Sequence, residues 1–186
     1  MSNSIFQIMN YLLPLLSVLL GYGIALILKP KKKSNLKLLL AFSGSFLLSL
    51  TVIHLLPEVY ENHNTTIGIF IMLGILFQII LEFFSKGAEH GHVHGHETMT
   101  HIPWLLFTSL CIHALLEGFP VNHHKGLALG IAVHHLPIAM ILTTFFINAQ
   151  LNKKAIFFFM LVFAIMTPLG TLLANYFQVL NDYYTE

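Results

Sequence analysis

The chain has 186 residues, of which 56% are hydrophobic and only 9% are charged, and its formal net charge is +1. Soluble domains carry roughly 25% charged residues, so this composition excludes a water-soluble globular fold and favours a protein that is solvated mainly by lipid. The small net charge argues against a nucleic-acid partner, and a single cysteine, Cys111, excludes a disulfide framework and any paired-cysteine metal or redox motif.

Long apolar runs predict an all-α fold, in which residues 1–186 form a single polytopic transmembrane helix bundle. Hydrocarbon leaves no partner for an unpaired backbone group, and runs of about 20 apolar residues select helices over the shorter strands of a barrel. The first run is interpreted as a mature span and not as a signal peptide, because no basic segment precedes it and no cleavage pattern follows it. Six spans are predicted: Ile5–Leu28, Leu36–Leu56, Ile67–Phe84, Ile102–Phe119, Gly126–Ile147 and Ala155–Leu180.

The lysines predict the orientation of these spans. All of them except Lys125 lie in or beside the connections after the first, third and fifth spans. Because lysine excess in short connections marks the cytoplasmic side, these three connections are predicted to be cytoplasmic and both termini to lie outside. Richness in lysine, asparagine, isoleucine and phenylalanine points to a bacterial source, so a bacterial plasma (inner) membrane is the expected location.

Polar residues inside the second span are the first candidates for function. A charged group at mid-bilayer costs about 2.5–3.5 kcal/mol on insertion scales, so residues of this kind are informative about function. The second span ends in Val-Ile-His-Leu-Leu-Pro-Glu, which contains His54 and Glu58. His54 is a candidate metal ligand, whereas Glu58 either joins such a site or lies at the membrane surface.

The third connection, residues 85–101, is predicted to be a cytoplasmic histidine-rich loop. Four of its histidines alternate with other residues, and this composition is typical of metal binding. Its glycines predict a flexible loop that captures metal weakly and exchanges it quickly; a solvated loop without a role is the alternative. The candidate loop ligands are His90, His92, His94 and His96.

The fourth span contains His113 and Glu117, four residues apart. On a helix this spacing places the two side chains about 40° apart on one face, one turn from each other. An imidazole nitrogen and a carboxylate at this spacing can hold one divalent cation. A neutral hydrogen bond that only packs the bundle is the alternative.

The fifth span contains the adjacent pair His134 and His135. Adjacent residues point about 100° apart on a helix, so the two imidazoles are expected to serve neighbouring positions and not the same one. On the preceding connection, His123 and His124 either gather metal or have no role.

Four prolines accompany these candidate ligands: Pro57, Pro120, Pro137 and Pro168. A proline inside a helix removes one hydrogen bond and displaces the carbonyl four residues earlier. The carbonyls predicted to be freed are those of Ile53, Leu116, Val133 and Ala164. Broken helices are tolerated where they line a wet cavity, and ordinary proline kinks are the alternative.

Together these motifs resemble the ZIP (Zrt/Irt-like) family of metal transporters. The matching segments are His-Leu-Leu-Pro-Glu at 54–58, the histidine-rich loop after the third span, His-x-x-x-Glu-Gly at 113–118, His-His-x-Pro at 134–137 and Pro-Leu-Gly at 168–170. Each segment is short, whereas their order and placement are specific, and the orientation predicted from the lysines is also that of the family.

The resemblance implies transport of divalent zinc toward the cytoplasm, with iron, manganese or cadmium as alternative substrates. It implies that His113, Glu117 and His134 form the main metal site. It also implies that His54 supplies a further ligand or gate, and that His135 stands where family members place a second-site ligand. The implied partners are the metal ion, the lipid bilayer and a second copy of the chain in a homodimer.

Three departures from the family pattern modify this expectation. Ile138 stands where a carboxylate usually follows the proline of the fifth span, and Thr167 stands where the sixth span often has glutamate. A single metal is therefore predicted. The family normally has eight spans, and because the seventh and eighth are missing here we expect a truncated or partial sequence.

Two other functions fit intramembrane histidines. A membrane metalloenzyme is one alternative, although His-Glu-x-x-His is absent and the histidines lie at mid-span and in a flexible loop, which disfavours the histidine boxes near one membrane face of a desaturase or hydroxylase; no enzymatic activity is predicted. A haem-binding membrane subunit could use His113 and His134 as axial ligands. A scaffold whose histidines only pack is the remaining alternative.

Overall fold

The protein is all-α, as its apolar runs predict. The computed structural model describes residues 2–28, 33–61, 66–85, 103–122, 124 and 126–185, and within these ranges no strand occurs. A π-helical turn at Thr51–Leu55 joins the second helix to the third. The α-helices are α1 (Ser2–Leu28), α2 (Lys33–Leu50), α3 (Leu56–Tyr60), α4 (Ile67–Ser85), α5 (Trp104–Gly118), α6 (Leu127–Asn148) and α7 (Lys153–Thr185).

Among the described residues, five helical stretches are long and apolar enough to cross a membrane, as expected for an integral membrane protein. They are Phe6–Leu28, Asn35–Tyr60, Ile67–Ser85, Leu127–Asn148 and Lys153–Phe177. The fourth predicted span corresponds to α5, which is apolar but has only 15 residues. Since a span needs about 20 residues, α5 is short for a full crossing. Prolines explain its length: Pro103 precedes its first residue, and Pro120 follows its last turn.

The prolines affect the helices differently. Pro137 and Pro168 lie inside α6 and α7, whereas Pro57 lies in the first turn of α3, directly after the π-helical turn. Pro120 lies beyond the end of α5, and the carbonyl of Leu116 accepts a hydrogen bond from the N–H of Phe119 at 3.1 Å. The prediction of a freed Leu116 carbonyl is therefore wrong, because α5 ends before the proline can interrupt it.

Helix α6 forms the centre of the bundle. It packs against α1, α2 and α7, and most of its length is buried. The core beside it contains the large aromatic side chains Phe146, Phe159 and Phe163. Helix α4, in contrast, packs against α5 and leaves most of its apolar surface exposed, as a helix that faces lipid does.

Two glycines bring α5 against α7. A Cβ atom at Gly118 would overlap the backbone of α7 at Thr167, and one at Gly170 would overlap the backbone of α5 at Leu115. The hydroxyl of Thr171 donates a hydrogen bond of 2.9 Å to the carbonyl of Gly118 across this contact. The close approach fixes the last turn of α5, which carries Glu117.

An amide network ties three segments together just beyond this turn. The side-chain amide of Asn10 in α1 donates to Oδ1 of Asn122 at 2.9 Å, and Asn122 donates to Oδ1 of Asn175 in α7 at 3.0 Å. Asn175 in turn donates to the hydroxyl of Tyr11 at 2.8 Å. Asn122 follows α5 closely in sequence, so the network fixes that end of α5 to α1 and α7.

Candidate metal centre

Three predicted ligands meet between α5 and α6. His113, Glu117 and His134 each offer one ligand atom, and these atoms all lie within 4.8 Å of one another. His113 and Glu117 occupy consecutive turns of α5, with Nε2 of the histidine 3.4 Å from Oε1 of the carboxylate. Ligand atoms of a tetrahedral zinc ion, bound at about 2.0–2.2 Å, are about 3.4 Å apart, so small side-chain rotations would close this group around one ion.

The group is enclosed by the bundle without being sealed. All three side chains are half-buried, and they lie on helices whose other faces are apolar. Two imidazoles and one carboxylate offset only part of the charge of a divalent cation. Because the three side chains are only half-buried, a single ion can reach the group and bind through nitrogen and oxygen. Three protein ligands leave one position for water.

His135 contacts the same carboxylate from the opposite side. Its Nε2 lies 2.7 Å from Oε2 of Glu117, and its ring packs on Phe163 with the ring centroids 5.4 Å apart. Because an ionised carboxylate can only accept, this contact places the hydrogen of a neutral His135 on Nε2. The side chain is buried, and its Nδ1 has no hydrogen-bond partner among the described residues. His135 thus neighbours the three-residue group without belonging to it, as the angle between adjacent helical residues predicts.

Gln78 is a neighbour of the group that no sequence motif predicts. Its Oε1 lies 3.0 Å from Nδ1 of His113, across the contact between α4 and α5. Since an amide oxygen accepts, this contact places the hydrogen of a neutral His113 on Nδ1 and leaves Nε2 as the nitrogen that can bind a metal. The sequence signal for Gln78 is that it is a lone amide within the apolar third span. A search for histidine and carboxylate motifs does not find it.

The structure does not bring His54 into this group. His54 is exposed in the π-helical turn, and its neighbours Val52 and Ile53 are exposed as well, so His54 lies on the side of the turn that faces away from the bundle. Glu58 has a largely exposed side chain, as expected of a residue at a membrane surface, and its Oε2 lies 3.0 Å from Nδ1 of His124. His124 therefore has a carboxylate partner outside the candidate centre.

Ile138, Thr167 and the loop histidines are the remaining positions that the sequence predictions named. Ile138 is buried and offers no ligand, while Thr167 is buried with a hydroxyl that lacks a hydrogen-bond partner in the described segments. Within those segments His113, Glu117 and His134 are the one group of three that could hold a metal, and the prediction of a single ion stays a prediction. The loop histidines His90, His92, His94 and His96 lie outside the described residues.

Comparisons with known proteins found no match, so the site is interpreted from its own chemistry. No protein-family model, no curated protein and no solved structure matches the chain. The resemblance to ZIP transporters is therefore a hypothesis that depends on the order of short motifs. The geometry adds that His113, Glu117 and His134, to which two of those motifs map, lie together in space.

Proposed function

We propose that the protein is a ZIP-like carrier that moves a divalent transition metal, zinc by preference, across the membrane toward the cytoplasm. One observation supports this above the others: ligand atoms of His113, Glu117 and His134 come within 4.8 Å of one another inside a bundle of apolar helices. Ionisable groups inside such bundles are costly and typically mark ion pathways.

The ligand types favour zinc. Imidazole suits zinc, copper, iron and nickel, and the Glu117 carboxylate adds a harder oxygen ligand. Cys111 is buried and does not belong to the group, so no thiolate draws the site toward copper(I). Iron, manganese and cadmium are the alternative substrates, because affinity order alone does not separate these metals.

The incomplete enclosure favours a carrier over a structural metal site. Structural zinc sites are closed by four protein ligands, whereas sites that exchange their ligands keep a position open. The half-buried group at α5 and α6 has three ligands on two helices, and Pro137 interrupts the hydrogen bonding of α6 just after His134. A small movement of α6 against α5 would separate the ligands and release the ion.

Zinc uptake into proteoliposomes tests this function. We expect His113→Ala and Glu117→Ala to reduce uptake to the level of empty vesicles, because each change removes a ligand from a group of three. The matched controls are His124→Ala and Glu61→Ala, which remove the same side-chain types outside the group and should retain uptake. Uptake by His113→Ala and Glu117→Ala that equals the parent would refute the proposal.

A further inference from the structure

The contact between α4 and α5 has a register that can be derived from one hydrogen bond. Gln78 of α4 contacts His113 of α5. Consecutive spans run in opposite directions, so each turn toward the end of α4 is matched by one turn toward the start of α5. The burial pattern agrees with this register, which matches Leu81 with Leu110 and Ser85 with Leu106, since all four residues are buried.

The same register places Glu82 opposite Ser109, one turn from the Gln78–His113 contact. Glu82 is half-buried, although most of α4 is exposed. Ser109 is only 3% exposed, and its hydroxyl has no hydrogen-bond partner among the residues that the structure describes. Leaving a buried polar group without a partner is costly, so the oxygen of this hydroxyl is available to a ligand.

The polar side chains on this contact form a line that leads away from the candidate metal centre. Gln78 contacts His113 at the end nearest the centre, the register places Glu82 and Ser109 one turn further on, and buried Ser85 ends α4. One helical turn is about 5.4 Å, so neighbouring positions on the line are within one step of a moving cation. The end of α4 is also the side that the lysines predict to be cytoplasmic.

We infer that Glu82 and Ser109 form a second cation position, which zinc occupies on its way from the candidate centre to the cytoplasmic side. Its role in release rests on the proposed function. The position offers a carboxylate and a hydroxyl, whereas the centre offers two imidazoles and a carboxylate. Oxygen ligands hold zinc less tightly than imidazole does, so the second position is suited to pass the ion onward.

Calorimetric zinc titration of the full-length protein in detergent tests the second position. His90, His92, His94 and His96 are replaced by asparagine throughout, so that these loop histidines do not add binding heat. We expect two binding steps in this background, with the weaker step lost in Glu82→Gln and the tighter one lost in His113→Ala. Glu61→Gln, an exposed carboxylate control, should keep both steps.

Transport provides the second readout. Glu82→Gln should bind zinc in the tighter step within about twofold of the parent, which also shows that it folds, and its uptake into proteoliposomes should fall by about tenfold or more. Two intact binding steps in Glu82→Gln, or uptake equal to the parent, would overturn the inference. An unchanged tighter step in His113→Ala would instead contradict the proposed function.

Discussion

Glu117 links the candidate centre to the neighbouring His135, because its two carboxylate oxygens face different histidines. Oε1 faces His113 of the same helix, and Oε2 faces His135 of α6. The first contact follows from a spacing of four residues on one helix and is predictable from sequence. The second depends on where α6 lies relative to α5 in the bundle, and the spacing of residues along the chain does not give it.

The hydrogen bond from His113 to Gln78 predicts that Gln78 affects the affinity for zinc. Gln78→Leu should weaken zinc binding by about 10–100-fold, because it removes the acceptor that fixes the tautomer and orientation of the imidazole. Gln78→Glu keeps an oxygen acceptor and should restore affinity close to that of the parent. Zinc titration of the purified proteins measures both effects.

A matched control for this prediction exists on the first helix. Gln7 is exposed on α1, so Gln7→Leu makes the same chemical change away from the site and should leave affinity unchanged. Parent-like affinity in Gln78→Leu would show that the Gln78 contact does not position His113.

At the scale of the elements, α5 lies between α4 and α7 and depends on both. Gly118 and Gly170 allow its last turn to approach α7, and the hydroxyl of Thr171 bonds across the contact. The sequence reveals these glycines only as parts of short motifs. Their physical role depends on the distance between two helices, which no local pattern encodes.

This contact predicts the effect of one added methyl group. Gly118→Ala should destabilise the protein by about 1–3 kcal/mol, because the Cβ atom would overlap the backbone of α7 and force the helices apart. The displaced α5 should also bind zinc more weakly. Thermal unfolding in detergent and zinc titration measure the two effects.

The control for this change is Gly74→Ala on the exposed surface of α4. No atom lies within 4 Å of a Cβ built at Gly74, and alanine is the better helix former by about 1 kcal/mol. This variant should therefore match or exceed the parent in stability. A Gly118→Ala variant that is as stable as the parent would contradict the close-packing argument.

At the scale of the whole molecule, the apolar runs were sufficient to predict the helices and the all-α class. Periodic burial cannot be read from a sequence that is apolar on every face, so the central place of α6 and the exposed place of α4 were not predictable. His54 shows the same limit: its motif suggested a ligand, but the side on which the π-helical turn faces is set by tertiary packing. The length of α5 could have been anticipated from Pro103 and Pro120.

X-ray absorption at the zinc edge measures which atoms of the protein bind the ion. The sample is the protein whose four loop histidines at positions 90, 92, 94 and 96 are asparagine, loaded with one equivalent of zinc. We predict nitrogen and oxygen ligands at about 2.0–2.2 Å, including two imidazoles, with one imidazole fewer in His134→Ala. Failure to retain zinc, sulfur at about 2.3 Å, or an unchanged spectrum in His134→Ala would contradict a metal centre built by His113, Glu117 and His134.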